Sequence, residues 1–115
     1  MPRKPLLKAL TLALIIILSS ADVLAQKRIR FQRGRSSATV RGPIGPNGYT
    51  EYVIDGRAGQ VMTIEITSGN GAVIVNAGHA SGKSFSLEMT GGDHLLSVVN
   101  TGRRATNYTM TVSIR

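Results

Sequence analysis

The stretch YTEYVIDGRAGQVMTIEIT, residues 49–67, decides the fold of this 115-residue chain. It holds two runs of β-branched and aromatic residues, which are separated by the short segment 56–60. In the second run Met62, Ile64 and Ile66 alternate with threonine and glutamate, and this period of two is typical of a half-buried strand. The stretch therefore predicts a β-hairpin with one apolar face, and such a hairpin needs further strands to cover that face.

The remaining residues supply these strands. Ile29 and Phe31 alternate with arginines in a short basic strand, and residues 107–115 alternate polar with apolar side chains. Glycine-rich turns separate the runs, and a loop is predicted at residues 78–82. The pattern of about eight short strands predicts an all-β fold, a small antiparallel β-sandwich of jelly-roll-like or Greek-key type. Residues 26–115 are expected to form this single domain.

The N-terminal residues 1–25 have the three parts of a secretory signal peptide. Three basic residues precede a ten-residue apolar run at positions 9–18, and residues 23–25 resemble a cleavage site that ends at Ala25. The apolar run is short beside the ~20 residues that span a bilayer, although a retained anchor is the alternative. A cleaved signal of this bacterial style predicts a periplasmic or secreted protein that is not integral to the membrane.

The sequence that follows the predicted signal is basic. Nine arginines and two lysines stand against five acidic residues, a net charge of +6. The planar guanidinium favours bidentate contact with carboxylates or phosphates, so the expected partners are acidic. The densest cluster, residues 27–35, is either a solvated edge strand or a patch for an anionic ligand. Nucleic acid is a poor candidate in an exported protein.

No reaction centre is visible in the sequence. His79 and His94 are too few and too far apart for a metal site, which needs three ligands at fixed spacing. Asp55, Glu65 and Glu88 are single acids on separate predicted strands, and nothing pairs them for acid–base work. The chain has no cysteine and no Gly-x-Ser-x-Gly elbow. We therefore predict no catalytic residue, no metal, no cofactor and no enzymatic activity.

Three short signatures carry a resemblance to a known family. They are the Ala-Gly-Gln segment 58–60 with its strand, the Gly-Gly-Asp turn 91–93 and the ending Asn-Tyr-Thr-Met-Thr-Val at 107–112. Together they resemble the bacterial pre-peptidase C-terminal type of β-sandwich. Within that group the chain is similar to exported single-domain proteins that include the periplasmic inhibitors of goose-type lysozyme, whose opening resembles residues 31–38. Residues 48–51 lack the aspartates common in the wider group.

The resemblance implies where a partner would bind. Arg103 and Arg104 lie in the predicted loop 101–105, near the family's arginine-containing loop, where two guanidinium groups could pair with a glycosidase carboxylate. The alternative is a solvated loop whose charges contribute little. His94 stands where the family has an aromatic residue after the Gly-Asp turn. The candidate partner-binding residues are Arg103, Arg104, His94, Arg33 and Arg35.

Two hypotheses follow for an exported, non-enzymatic binding protein. The first is a lysozyme-inhibitor-like protein whose partner meets the arginine loop. The second is an envelope-associated structural protein that holds an anionic polymer or lipid through the basic strand, with Arg28, Arg30, Arg33 and Arg35. Different arginines matter in the two hypotheses, and the oligomeric state is left open by both.

Overall fold

The computed structural model describes residues 26–115, so the predicted signal peptide and its cleavage after Ala25 lie outside the described residues. These residues form an all-β sandwich with no helix among them, as the alternation predicts. The strands are β1 (Lys27–Arg28), β2 (Ser37–Ile44), β3 (Tyr49–Gly56), β4 (Val61–Ser68), β5 (Val73–Ala77), β6 (Ala80–Gly82), β7 (Ser84–Glu88), β8 (Gly92–Asn100) and β9 (Thr106–Ile114).

Two sheets face each other across the core. One has five strands in the order β1-β3-β8-β5-β6, and the other has four in the order β2-β9-β4-β7. The pairs are antiparallel except for β1 with β3, which is parallel. The sandwich prediction is therefore confirmed.

The predicted hairpin of residues 49–67 is wrong, because β3 and β4 lie in different sheets. The connection 57–60 carries the chain from one sheet to the other. It is held by Met89, whose carbonyl accepts the Gly59 N–H at 3.1 Å and whose N–H donates to the Gln60 carbonyl at 2.7 Å. Both strands thus place their apolar faces in one core without pairing to each other.

The inward faces agree with the predicted alternation. In β4 the three inward residues Met62, Ile64 and Ile66 are buried, and in β9 every second residue is buried from Tyr108 to Ile114. These side chains pack against those of β3, β5 and β8, which are apolar at the same period. The core residues that are at most 1% exposed are Ile54, Met62, Ile64, Val73, Val75, Leu96, Val98, Met110 and Val112.

The edges of the five-stranded sheet differ in detail from the predictions. The basic N-terminal strand is reduced to the two residues of β1, although its place at the edge is confirmed. The predicted loop 78–82 is wrong in part, because Ala80–Gly82 pairs with β5 as the other edge strand. The turn needs only two residues, since Gly78 takes a positive φ of 63° that brings the chain straight back.

A pair of buried tyrosines joins the two sheets through the core. Tyr52 on β3 and Tyr108 on β9 share a hydrogen bond of 2.6 Å between their hydroxyl oxygens. Gly42 on β2 leaves room for this pair, because a Cβ at that position would stand 3.2 Å from the Tyr108 hydroxyl. Burial, followed by the hydrogen bond to Tyr108, raises the pKa of Tyr52 well above its ordinary value.

This raised pKa predicts a loss of stability in alkali. The folded state keeps the Tyr52 hydroxyl neutral. Its contribution to the free energy of unfolding is therefore complete below pH 10, about the pKa of tyrosine in the unfolded chain, and falls as pH rises above that value. Urea unfolding at a series of pH values should show this decline, and Tyr52→Phe should flatten it. The control Tyr49→Phe leaves the buried pair intact and should decline as the native protein does. An equally steep decline in Tyr52→Phe would assign the effect to other groups.

Candidate functional site

Three loops meet at one end of the sandwich, which we call the arginine-loop end: residues 45–48, 69–72 and 101–105. The strand registers place them together. Ile44 pairs with Thr106, and Ser68 pairs with Tyr108, so the β2–β3 and β4–β5 loops both lie beside the start of β9. The loop 101–105 joins β8 to β9 at the same end.

Asn100, the last residue of β8, ties the three loops together. Its side chain is fully buried. Its Nδ2 donates to the carbonyl of Gly45 at 3.0 Å and to that of Arg104 at 2.8 Å. Its Oδ1 accepts the Gly102 N–H at 2.9 Å and the Asn70 Nδ2 at 3.2 Å. One amide group therefore fixes all three loops relative to each other.

Further contacts hold the base of the arginine loop. The N–H and the hydroxyl of Thr101 both donate to the Ala72 carbonyl, at 2.9 and 2.8 Å. Gly102 is packed so closely that a Cβ there would stand 2.8 Å from the Asn70 Nδ2. The loop thus has a rigid base, and this preorganisation lowers the entropy lost when a partner binds.

Arg103 and Arg104 are exposed above this base, as predicted for a loop between two core strands. Among residues 26–115 the ion pair found is Arg28 with Asp93, so neither loop arginine forms a salt bridge there. No acidic residue occurs in the three loops. Both guanidinium groups are therefore open to a carboxylate from outside.

Tyr49 adds an aromatic group at the same end. It follows the loop 45–48, lies opposite Val99 at the start of β3 and is 64% exposed. Tyrosine and arginine are among the residues most enriched in the energetic centres of protein interfaces. A shallow groove of about 410 Å³ also opens beside the arginine loop, between Pro43 and Ala105. The arginine-loop end therefore offers charged, aromatic and apolar groups, with Tyr49 on the five-stranded sheet and the groove beside β2 and β9 of the four-stranded sheet.

The other predicted site residues lie elsewhere. His94 is in the third position of β8, and at about 3.3 Å per residue it is about 20 Å from Asn100. Its Nε2 is 2.8 Å from the Thr90 carbonyl. Arg33 and Arg35 precede β2, whose first residue Ser37 pairs with Ser113 near the end of β9. The structure thus groups Arg103 with Arg104 and places the other three candidates toward the opposite end.

The basic cluster at residues 27–35 has fewer arginines available to a ligand than its sequence indicates. Arg28 donates from both terminal nitrogens to the Asp93 carboxylate, at 2.9 and 2.8 Å. This bidentate contact lowers the pKa of the Asp93 carboxyl and engages the guanidinium that the second hypothesis assigned to an anionic polymer. Arg30, Arg33 and Arg35 remain exposed.

Sequence reasoning missed Asn100 and Tyr49. The signal for Asn100 was present, because it continues the inward register of Leu96 and Val98 on β8. A polar residue on a buried face requires hydrogen-bond partners, and turns are the usual source. Tyr49 carried no such signal, because its exposure depends on where β3 begins.

Within the described part of the chain, no group of three histidine or acidic residues could hold a metal ion. The same residues contain no helix of the length and apolarity needed to cross a membrane.

No protein-family model and no curated protein matches this chain. Solved structures do match its fold. The PliG of Aeromonas hydrophila, a periplasmic inhibitor of g-type lysozyme, superposes with a TM-score of 0.71 at 20% identity, over 79% of this chain and 96% of that one. The Salmonella Typhimurium PliG gives 0.63 at 21% identity, over 79% and 99%.

A third match is the pre-peptidase C-terminal domain of a Bacillus anthracis collagenase, with a TM-score of 0.58 at 15% identity over 79% of this chain and 95% of that one. At these identities the likeness concerns the fold. The resemblance read from residues 58–60, 91–93 and 107–112 is confirmed at that level: the chain has the β-sandwich fold that PliG proteins share with pre-peptidase C-terminal domains.

Proposed function

We propose that the protein is an exported, non-enzymatic binding protein that inhibits a g-type lysozyme through its arginine-loop end. The observation that carries this proposal is the buried Asn100 amide, which locks three loops and holds Arg103 and Arg104 on a rigid base. The PliG fold supports the choice of partner. The predicted signal peptide and the periplasmic location of those PliG proteins support a periplasmic site of action.

The chemistry of inhibition follows from the guanidinium groups. A glycosidase needs one carboxylic acid that stays protonated in order to donate to the leaving oxygen. A guanidinium placed against that acid favours its ionised form and lowers its pKa, so the proton is no longer available. Two arginines on one rigid loop can also make bidentate contacts that block the cleft. This mechanism asks nothing of a metal or cofactor.

The net charge limits the rate of association. Residues 26–115 carry a net charge of +6, and many lysozymes are basic, so long-range repulsion opposes the encounter. Affinity must then come from short-range contacts at the arginine-loop end. Because salt screens repulsion, moderate salt should leave the association rate unchanged or raise it, which is the reverse of its effect on binding to an anionic polymer.

A turnover assay tests the proposal. The purified protein is titrated into g-type lysozyme acting on peptidoglycan, and a lysozyme of another class serves as the control. Hydrolysis by the g-type enzyme should fall to zero near a one-to-one ratio, while the control enzyme keeps its activity. Unchanged g-type turnover in a large molar excess of the protein would contradict the proposal.

A further inference from the structure

A second cavity lies away from the arginine-loop end, at the start of β2. Its volume is about 260 Å³, and we call it the arginine cradle. Its lining contains two guanidinium groups, two hydroxyl groups and one side-chain amide, without a single acidic residue. The lining residues are Arg30, Gln32, Arg35, Ser37, Ala38 and Thr39.

The local fold builds the cradle from a tight turn and the first residues of a strand. The Arg35 N–H donates to the Gln32 carbonyl at 2.9 Å, which closes a four-residue turn. Gly34 occupies its third position with φ at 79°, a conformation that a type II turn requires there. The turn separates Arg30 from Arg35 along the chain, yet both line the same cavity.

The outward face of β2 completes the cradle. Ser37 and Thr39 are exposed, whereas Ala38 between them is half-buried, so the two hydroxyl groups lie on one side of the strand. Arg30 and Arg35 are exposed and form no ion pair within residues 26–115. The neighbouring Arg28 does not compete for a ligand, because Asp93 holds it from both nitrogens.

We propose that the arginine cradle binds a phosphate group carried by a larger molecule. A carboxylate has two oxygens in one plane, and their spacing matches a single guanidinium fork. A tetrahedral phosphate has enough oxygens to accept from both forks and from a hydroxyl group at once. The cavity also leaves room for part of the molecule to which the phosphate is attached by its ester bond. This site is independent of the proposed function, because it uses other arginines on another surface.

The test uses four single variants in which arginine becomes glutamine. Binding of inorganic phosphate and of glycerol phosphate is followed by amide chemical shifts, against chloride at equal ionic strength. Arg30→Gln and Arg35→Gln should each weaken binding by about tenfold or more, the usual effect of losing a hydrogen bond to a charged group. Arg33→Gln and Arg57→Gln remove the same charge outside the cavity and should change binding less than about twofold.

A second arm separates the sources of the phosphate. Vesicles of phosphatidylglycerol are compared with vesicles of phosphatidylcholine. Binding of the soluble phosphates supports a soluble ligand, and binding of phosphatidylglycerol vesicles alone supports a lipid head group, provided that Arg30 and Arg35 are required. No binding in either arm overturns the proposal. Equal losses of phosphate affinity in all four variants also overturn the proposal, because they would show that net charge governs binding and that the cradle does not.

Discussion

The double variant Arg103→Ala with Arg104→Ala should raise the concentration needed for half-inhibition of g-type lysozyme by about 100-fold or more. Each guanidinium is expected to pair with a carboxylate in a cleft from which water is excluded. Truncation of such an anchor arginine commonly costs about 2 kcal/mol or more in binding free energy, which is about 30-fold in affinity. The fold should survive, because both side chains are exposed and the Arg104 carbonyl still accepts from Asn100. Inhibition assays on folded variants measure this effect.

The matched control is the double variant Arg41→Ala with Arg57→Ala. These arginines are also exposed, and they lie on β2 and in the β3–β4 connection, outside the arginine-loop end. The control removes the same two charges and should inhibit as well as the native protein. If net charge alone governed binding to a basic lysozyme, both double variants would inhibit better. Equal inhibition by both double variants and the native protein would show that the arginine loop does not bind the enzyme.

Asn100→Ala should destabilise the protein and disable the arginine loop together. It leaves the Gly45 and Arg104 carbonyls and the Gly102 N–H without their partner, in hydrogen bonds that are partly buried. An unsatisfied buried group costs about 1–3 kcal/mol, and partial relaxation of the loops should hold the total to about 2–4 kcal/mol. Urea unfolding measures the loss, and amide exchange at Gly102 should accelerate sharply.

Asn107→Ala is the control for this variant. Asn107 is also at one end of a strand, but its side chain is exposed, so its removal should change the free energy of unfolding by less than about 0.5 kcal/mol. Inhibition should weaken strongly in Asn100→Ala under conditions where the variant is folded. Asn107→Ala is a control for stability alone, because Asn107 lines the groove beside the arginine loop. Native-like stability of Asn100→Ala would mean that the three loops hold each other without the amide.

The inward faces of the strands could be predicted from the sequence because they depend only on the period of two. Leu96 and Val98 are buried for the same reason as Met110 and Val112, and no knowledge of the neighbouring strand is needed. Pairing is different. An alternating run before and after residues 57–60 fits a hairpin and a crossing between sheets equally well, and the contacts with Met89 that decide between them lie far along the chain.

In the candidate site, too, the local pattern could be predicted from the sequence and the contacts between distant residues could not. Two arginines in a glycine-containing loop are visible in the sequence, and so is the polar Asn100 on an inward face. Their connection is not visible, because the hydrogen bonds of Asn100 reach Asn70 across 30 positions and Gly45 across 55. Rigidity of the loop is therefore a property of the folded molecule that the local pattern does not encode.

Amide hydrogen exchange of the protein with and without g-type lysozyme tests the central claim most directly. The account predicts added protection in the loops 45–48, 69–72 and 101–105 and at the start of β3, with no change around His94 or the arginine cradle. Protection at the opposite end of the sandwich, or none anywhere at saturating lysozyme, would contradict it.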